Sequence, residues 1–479
     1  MLHKRFFAFL SAFFLIIGGC AYLQTQVKHY KGIEEDFSTR YYIQAAEKIE
    51  KAKNEGKYEG KDRVLYYLDM GIALHFAGNY RASNEFLDKA EIAIEENFTK
   101  SVSKMMVSFL LNDNALDYAG EDYEDIFTNI IKTLNYLHLQ NYEDAMVEVR
   151  RINLKLSKLE DKYSRMADQL SESEKLRENK TDFRFTTGKT NLRYSITGIF
   201  LSMLGYKNMG EWDDVEIDRK KIIEASSGRL EDFSEKIISP SGENNTPVYT
   251  MCFTGKSPVK LQSTLLLDYD PDLNMARIMV PDKKNREIHS FKYRGDDELH
   301  LKFAVPEIAR RKSKIRHVII YANGRPLGEM YPLEDFGSIA EETFKVKKPI
   351  VYLRAALRTL IKTVVDSKIK ESIDKKYEKE NNEDEENGKD AKDKEENKLM
   401  AGLLKFAVDA LTDVTENADL RCWRTMPGRA YAGRINLVPG EHEIAFQYLD
   451  ARGNVVDMET KTITIEKNTL NLIEGVSYQ

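Results

Sequence analysis

Apolar positions change their period twice along this chain. Over residues 41–238 they recur every three or four residues, which puts one stripe on a helix. From Val248 they fall into short runs cut by turn residues, the mark of strands. Helical spacing returns over 349–370, and strands resume near Asn436. In the first zone, Ile43, Ala46, Ile49 and Ala52 predict a helix over 41–53 that stops at Gly56. A longer stripe, Ala145, Val149, Ile152, Leu156, Leu159, Tyr163, Met166 and Leu170, steps by four and three without a break. It predicts one helix with a narrow heptad seam, covered by neighbouring helices, with a partner helix as the alternative. Residues 171–189 read as a polar loop, and 239–247, rich in Ser, Pro, Gly and Asn, as a domain boundary. Runs at 248–253, 261–267, 277–280, 299–303 and 318–321 predict a sheet. Ile444, Phe446 and Tyr448 alternate with polar or small neighbours, and 462–465 and 470–473 complete the tail as strands with one wet face. Between strand zones, Leu353, Leu357, Leu360, Ile361 and Val364 share a helix face, and 399–414 predicts a second helix of the same hairpin. The charged stretch between them, 371–398, buries too little apolar surface to offset its ordering entropy and is expected to be a disordered loop.

Within the helical zone one pattern recurs. Tyr67, Met70, Gly71, Leu74, Gly78, Tyr80, Ser83, Leu87 and Ala90 stand at the offsets of a tetratricopeptide repeat, with Gly71 and Ala90 where two helices approach closely. The turn Ala77-Gly78-Asn79-Tyr80 supplies residues that tolerate positive φ. A weaker copy turns at Leu139-Gln140-Asn141-Tyr142, after Tyr136; Tyr142 follows Tyr80 by 62 residues, close to two repeats of about 34. Residues 98–118 are expected to form a degenerate helix pair between them. A third turn, Gly210-Glu211-Trp212, follows an apolar helix at 196–204. Three pairs are about the minimum for a solenoid, whose concave face binds peptides and proteins. Tyr67, Leu74, Tyr80, Tyr136 and Tyr142 are therefore the candidate protein-binding residues. The expected fold is α+β and multidomain: a TPR-like helical domain at 41–238, then a β-rich, sandwich-like domain in two parts, 248–348 and 416–479, with a helical hairpin inserted at 349–415.

The first twenty residues decide where all this folds. His3, Lys4 and Arg5 precede an apolar run over 6–17 that is too short to span a bilayer, and small residues close it, the layout of a secretory signal over 1–19. Its end, Ile17-Gly18-Gly19-Cys20, resembles the bacterial lipobox, whose cysteine is acylated and becomes the first mature residue. The resemblance makes Cys20 a lipid attachment point, the bilayer a partner, and 20–40 a polar tether. Ala21 and Tyr22 follow without an Asp. By resemblance to enterobacterial sorting this implies the periplasmic side of the outer membrane, with the inner membrane and the cell surface as alternatives.

Net charge is −6, and a leader carrying Lys4 and Arg5 takes two positive charges with it, leaving −8. That balance argues against nucleic acid, which needs a basic footprint. Cys252 and Cys422 are read as buried thiols, although pairing in an oxidising compartment stays open. No CxxC or HExxH spacing occurs, and no metal or cofactor is expected. Gly255-Lys256-Ser257 has Thr250 where a phosphate-binding loop needs glycine, and Pro258 where its helix would run, so it reads as a strand-joining turn. Arg310, Arg311, Lys312, Lys314, Arg316 and His317 read as a solvated approach to a strand, with an anionic headgroup or acidic partner as the alternative. Asp419, Arg421 and Trp423 read as a structural corner, and no catalytic residue is assigned.

Several phrases together resemble a family of bacterial envelope lipoproteins with tetratricopeptide-like helices and a C-terminal β-rich domain. They are the stretch from Tyr142 to Arg151, Gly255-Lys256-Ser257-Pro258, Ala418-Asp419-Leu420-Arg421-Cys422-Trp423-Arg424-Thr425-Met426-Pro427, and Pro439-Gly440-Glu441-His442. The last phrase, continued to Ile444, is similar to the opening of small surface-layer-type β modules. The resemblance implies an envelope location beside other small lipoproteins, some of them similar to activators of cell-wall synthases. The expected function is a non-enzymatic interaction scaffold in envelope assembly or maintenance, with other envelope proteins as partners. Two readings from other classes stand beside it: peptidoglycan binding or regulation of cell-wall synthesis by the β domain, and a hydrolase with its site between the domains.

Overall fold

Turns of two or three residues close three antiparallel helix pairs: α3 (Arg63–Phe76) with α4 (Tyr80–Val107), α5 (Asp122–His138) with α6 (Tyr142–Ser157), and α8 (Ile196–Met209) with α9 (Trp212–Ala225). The computed structural model describes residues 29–107, 113–172, 184–282, 286–293, 298–386 and 417–479. Each turn holds one residue at positive φ, Gly78 at 78°, Gln140 at 57° and Gly210 at 81°. Gly71 lets the first pair close up: a Cβ there would lie 2.5 Å from Leu87 Cδ2, and Ser83 Oγ donates to the Gly71 carbonyl at 2.7 Å. Also in the helical half are α2 (Tyr42–Asn54), α7 (Leu159–Ser171) and α10 (Glu231–Ile238).

Several helical expectations change. The supposed tether is partly a helix, α1 (29–38), because Tyr30, Ile33 and Phe37 form a stripe that the charges between them conceal; all three are buried. Phe37 meets Tyr42, Phe76 and the near-terminal Tyr478 edge-on. In α2 the buried stripe is Tyr42, Ala45, Ile49 and Ala52, as regular as the expected one but carrying the larger ring, and Ile43 is left 53% exposed. Helix α4 continues to Val107, so the degenerate pair over 98–118 does not form; residues 108–112 lie outside the described ones and Asp113–Ala115 is a single 3₁₀ turn. The long seam is interrupted at Lys158, whose N–H closes on the carbonyls of Leu154 and Leu156. Its halves serve different cores. Ala145, Val149, Ile152 and Leu156 join the main one, whereas Leu159, Tyr163, Met166 and Leu170 of α7 join a second.

Beyond Thr246 the chain is mainly sheet. β1 (Thr246–Lys256) lies parallel to β12 (Asn471–Ser477) and antiparallel to β9 (Pro427–Leu437), which pairs in turn with β8 (Tyr331–Asp335). A second sheet, in the order β11 (Val455–Ile465), β10 (Gly440–Leu449), β6 (His317–Ala322), β7 (Arg325–Glu329), faces the first across Val248, Cys252, Val318, Ile320, Phe446 and Tyr448. The opposite face of the first sheet, with Tyr249, Met251 and Phe253, joins the helical core around Phe127 and Trp423. Burial on both faces is why β1 reads as a nearly continuous apolar run instead of an alternation. Strand β9 leaves no such signal in the sequence, for the converse reason: Gly428, Ala430, Ala432 and Gly433 are too small to show a period. The third sheet is β4 (Glu287–Lys292), β3 (Met275–Met279), β2 (Val259–Asp270), β5 (Leu299–Ala309); its core includes α7 together with Leu353, Leu357 and Leu360 of α11 (Phe336–Glu386).

Helix α11 starts ahead of the expected 349 and carries Pro349 inside it. It runs on through 371–386, where a disordered loop was expected. Glu and Lys, frequent over that stretch, are good helix formers. Residues 387–398 of that loop, the second hairpin helix at 399–414, the leader and Cys20 lie outside the described residues. Cys252 and Cys422 are both buried and unpaired. The chain is thus mixed α+β, with helices α1 to α10 first and the sheets after, α11 lying between β8 and β9.

Candidate docking groove

Helices α4 to α7 enclose a groove of about 830 Å³. Asp88, Glu91 and Glu95 give its α4 wall an acidic edge, while Arg151 and Lys155 of α6, then Lys158, Lys162 and Arg165, give the facing wall a basic one. A charge network crosses the groove and ties its walls together, with Lys132 buried at its centre. Lys132 of α5, its side chain 1% exposed, meets Asp88, Glu91 and Glu148 at 2.7, 2.9 and 3.0 Å. Glu91 also receives Arg151 at 2.9 Å and Lys155 at 2.8 Å, and Asn129 donates to Glu91 and Glu148 at 3.0 and 2.6 Å. Burial alone would raise the Glu91 carboxyl; Lys155 and Lys132 hold it well below the usual carboxylate range. A network satisfied at this many points specifies one arrangement of α4, α5 and α6.

Beside those bridges each wall leaves an apolar side chain exposed. Ile92 on one wall is 60% exposed and Leu154 on the other 50% exposed. Lys158 and Glu95 have no ion-pair partner among the described residues. Opposed charges flanking exposed apolar side chains suit an amphipathic segment.

Comparison with protein-family models, curated proteins and solved structures found no match. The functional reading accordingly rests on the geometry.

The residues expected to bind a partner sit elsewhere. Tyr67, Leu74, Tyr136 and Tyr142 are half-buried against the main core, and Tyr80 stacks on His138 with ring centroids 4.4 Å apart. Repeat-pattern positions hold the hairpins shut, so the free face lies between them. A signal for it does exist in the sequence: Leu154 is apolar yet off the stripe of Ala145, Val149, Ile152 and Leu156.

A second concentration of buried charge lies where residues 417–426 cross the main core. The Trp423 N–H donates to Glu124 at 2.6 Å and its indole to Thr425 at 2.9 Å; Thr425 donates to Asp69 at 2.6 Å. Tyr30 and Tyr58 also donate to Asp69, each at 2.8 Å. Burial, with Glu121 nearby, pushes the Glu124 carboxyl up to about 7, and burial pushes Asp69 up to about 6. Both acids therefore hold protons more tightly folded than unfolded, where carboxyls titrate near about 4. As pH rises from there the unfolded chain ionises first, so stability falls until the folded groups have also ionised, near pH 7, and is then level. Glu91 and Glu474, held low, act in the opposite sense, and their contribution is lost only as pH falls below about 4. The urea midpoint is expected to drop between pH 5 and pH 8, by on the order of 3 kcal/mol in unfolding free energy. A midpoint that rises over that interval contradicts this account.

Proposed function

We propose that this protein is a membrane-anchored, periplasm-facing scaffold, without an enzymatic reaction of its own, that captures an amphipathic segment of another envelope protein in the α4–α7 groove. In this reading the three helix pairs are a short TPR-like solenoid, and the two facing sheets are a sandwich-like domain into which α11 opens a helical hairpin. The observation that carries the proposal is the pairing of exposed Ile92 and Leu154 with walls of opposite charge. An apolar residue of the segment covers Ile92 and Leu154; an acidic neighbour faces Lys158 and Arg165, and a basic one faces Asp88 and Glu95. Covering a side chain of this size contributes about 1.5 to 3 kcal/mol. Lipid at Cys20 confines the encounter to the outer-membrane face, which raises the effective concentration of partners held there.

The test is a photo-reactive phenylalanine at Leu154 in intact cells, with crosslinked peptides read by mass spectrometry. The expected product is an envelope-protein segment with an apolar residue between opposite charges. Ile92→Asp combined with Leu154→Asp should weaken its binding by about tenfold or more while leaving the urea midpoint nearly unchanged, because both side chains face water. Crosslinks to glycan fragments instead of to a peptide would replace this reading with peptidoglycan binding.

A further inference from the structure

The turn Gly255-Lys256-Ser257-Pro258 and the basic run from Arg310 to Arg316 are distant in sequence, and each alone reads as a piece of connecting structure. The fold joins them. The turn leaves β1, the run follows β5, and they meet in a cavity of about 140 Å³ whose lining includes Lys256, Arg310, Arg311, Lys312, Arg316 and, from β9, Arg429. Room for one water takes about 10 to 15 Å³. The cavity therefore accommodates a phosphate group and the first atoms of its ester.

Too few carboxylates reach these cations to neutralise them. Glu34 of α1 takes Lys256 and Arg311, each at 3.1 Å, and is shared with Arg424 at 3.1 Å. Asp335 takes Arg429 at 3.2 Å and Arg310 at 3.4 Å, and Glu341 takes Arg310 at 2.6 Å. The six lining cations thus share three carboxylates, of which only Asp335 lines the cavity and Glu34 also serves Arg424. Arg316 donates to the backbone carbonyls of Ser313 and Ile315, at 2.7 and 2.8 Å, and Lys312 is exposed with no partner among the described residues. Burial, with Arg424 adding to it, pushes the Arg311 guanidinium down from its ordinary value even though Glu34 opposes the shift. The start of α11 is already occupied, since the N–H groups of Gly337 and Ser338 bond to Asp335 at 2.9 and 3.3 Å. The donors left for a ligand are the Lys312 ammonium and the guanidinium N–H groups that Arg316 does not give to those two carbonyls.

We propose that this cavity is a binding site for an anionic phosphate ester, held by Lys312 and Arg316 with Lys256, Arg310, Arg311 and Arg429 behind them. A lipid headgroup is the nearest source. Glu34, which bonds two of the lining cations, lies on α1, and only nine chain steps separate His29 from Cys20. Fully extended, they span about 30 Å. The choice of source rests on the lipid-anchor reading; the phosphate site itself does not.

Full-length protein in a neutral detergent, labelled with an amine-acylating reagent, provides the test. Labelling of Lys312 is compared in inorganic phosphate and in chloride of equal ionic strength, with Lys51, its side chain 77% exposed, as the reference. The expected result is slower labelling of Lys312 by the factor 1 + [L]/Kd, about fivefold at phosphate about four times Kd, with Lys51 unchanged. Arg316→Ala, which gives up no carboxylate partner, should abolish the protection. Two further arms place the protein in vesicles of phosphatidylcholine alone or with phosphatidylglycerol. Greater protection with phosphatidylglycerol assigns the site to a headgroup, and protection by inorganic phosphate without any vesicle difference assigns it to a soluble ester. Equal labelling of Lys312 in phosphate and chloride together with equal labelling in both vesicles overturns the proposal, as does protection that survives Arg316→Ala.

Discussion

Arg421→Ala is expected to lower the free energy of unfolding by about 3 to 5 kcal/mol, the range for removing one partner of a buried ion pair. The Arg421 guanidinium donates to Asp62 at 3.0 Å, to both oxygens of Asp419 at 2.9 and 2.8 Å, and to the carbonyls of Leu116 and Asp113 at 3.1 and 3.0 Å. Asp62 is almost fully buried. Alanine would withdraw the guanidinium from Asp62, from Asp419 and from two carbonyls, in a place water reaches poorly. Arg421→Lys should recover only part of the loss, because an ammonium cannot present the planar fork that five acceptors now share. Urea unfolding of the two variants measures both effects. A loss under about 1 kcal/mol for alanine would mean that the guanidinium is no more than a surface charge. The strap it anchors joins α1, α3 and α5 to the first sheet, so the measurement also reports how far the helical and sheet halves depend on each other.

Cys20→Ser is expected to move the protein from the membrane fraction to the soluble periplasmic fraction and to abolish labelling by palmitate. On the proposed lipidation of Cys20, each buried methylene contributes about 0.8 kcal/mol, one acyl chain holds marginally and two or more hold stably, so removing the attachment atom would remove the anchor as a whole. Among the described residues no helix is long and apolar enough to cross a membrane. A serine variant that reaches the periplasm and still fractionates wholly with lipid would refute the assignment of Cys20.

These predictions draw on information of different kinds. The lipobox-like end at Cys20 is a run of four neighbours and can be read directly. The corner at Asp419, Arg421 and Trp423 was visible as a local alternation, but its importance was not, because the residues that complete it lie far away: Asp62 is 359 positions from Arg421, and Glu124 is 299 from Trp423. The basic cavity shows the same gap, with Lys256 and Arg311 each unremarkable until Glu34 and Arg429 are set beside them.

Element type and order were legible from spacing alone. The helix turns at Gly78, Gln140 and Gly210, strands β1, β2, β3, β5 and β6, and the strands after Pro439 follow from side-chain period and turn chemistry, which act between residues a few positions apart; the spacing does not mark β4, β7 or β8. Tertiary structure alone decided which stripe faced inward in α2, that residues 29–38 join the core, that the small residues of β9 make a central strand, and that the 145–170 seam divides between two cores. It also opened the groove between α4 and α7. Each of these outcomes depends on which distant surface removes a side chain from water or which distant charge neutralises it, and no local period encodes that partner.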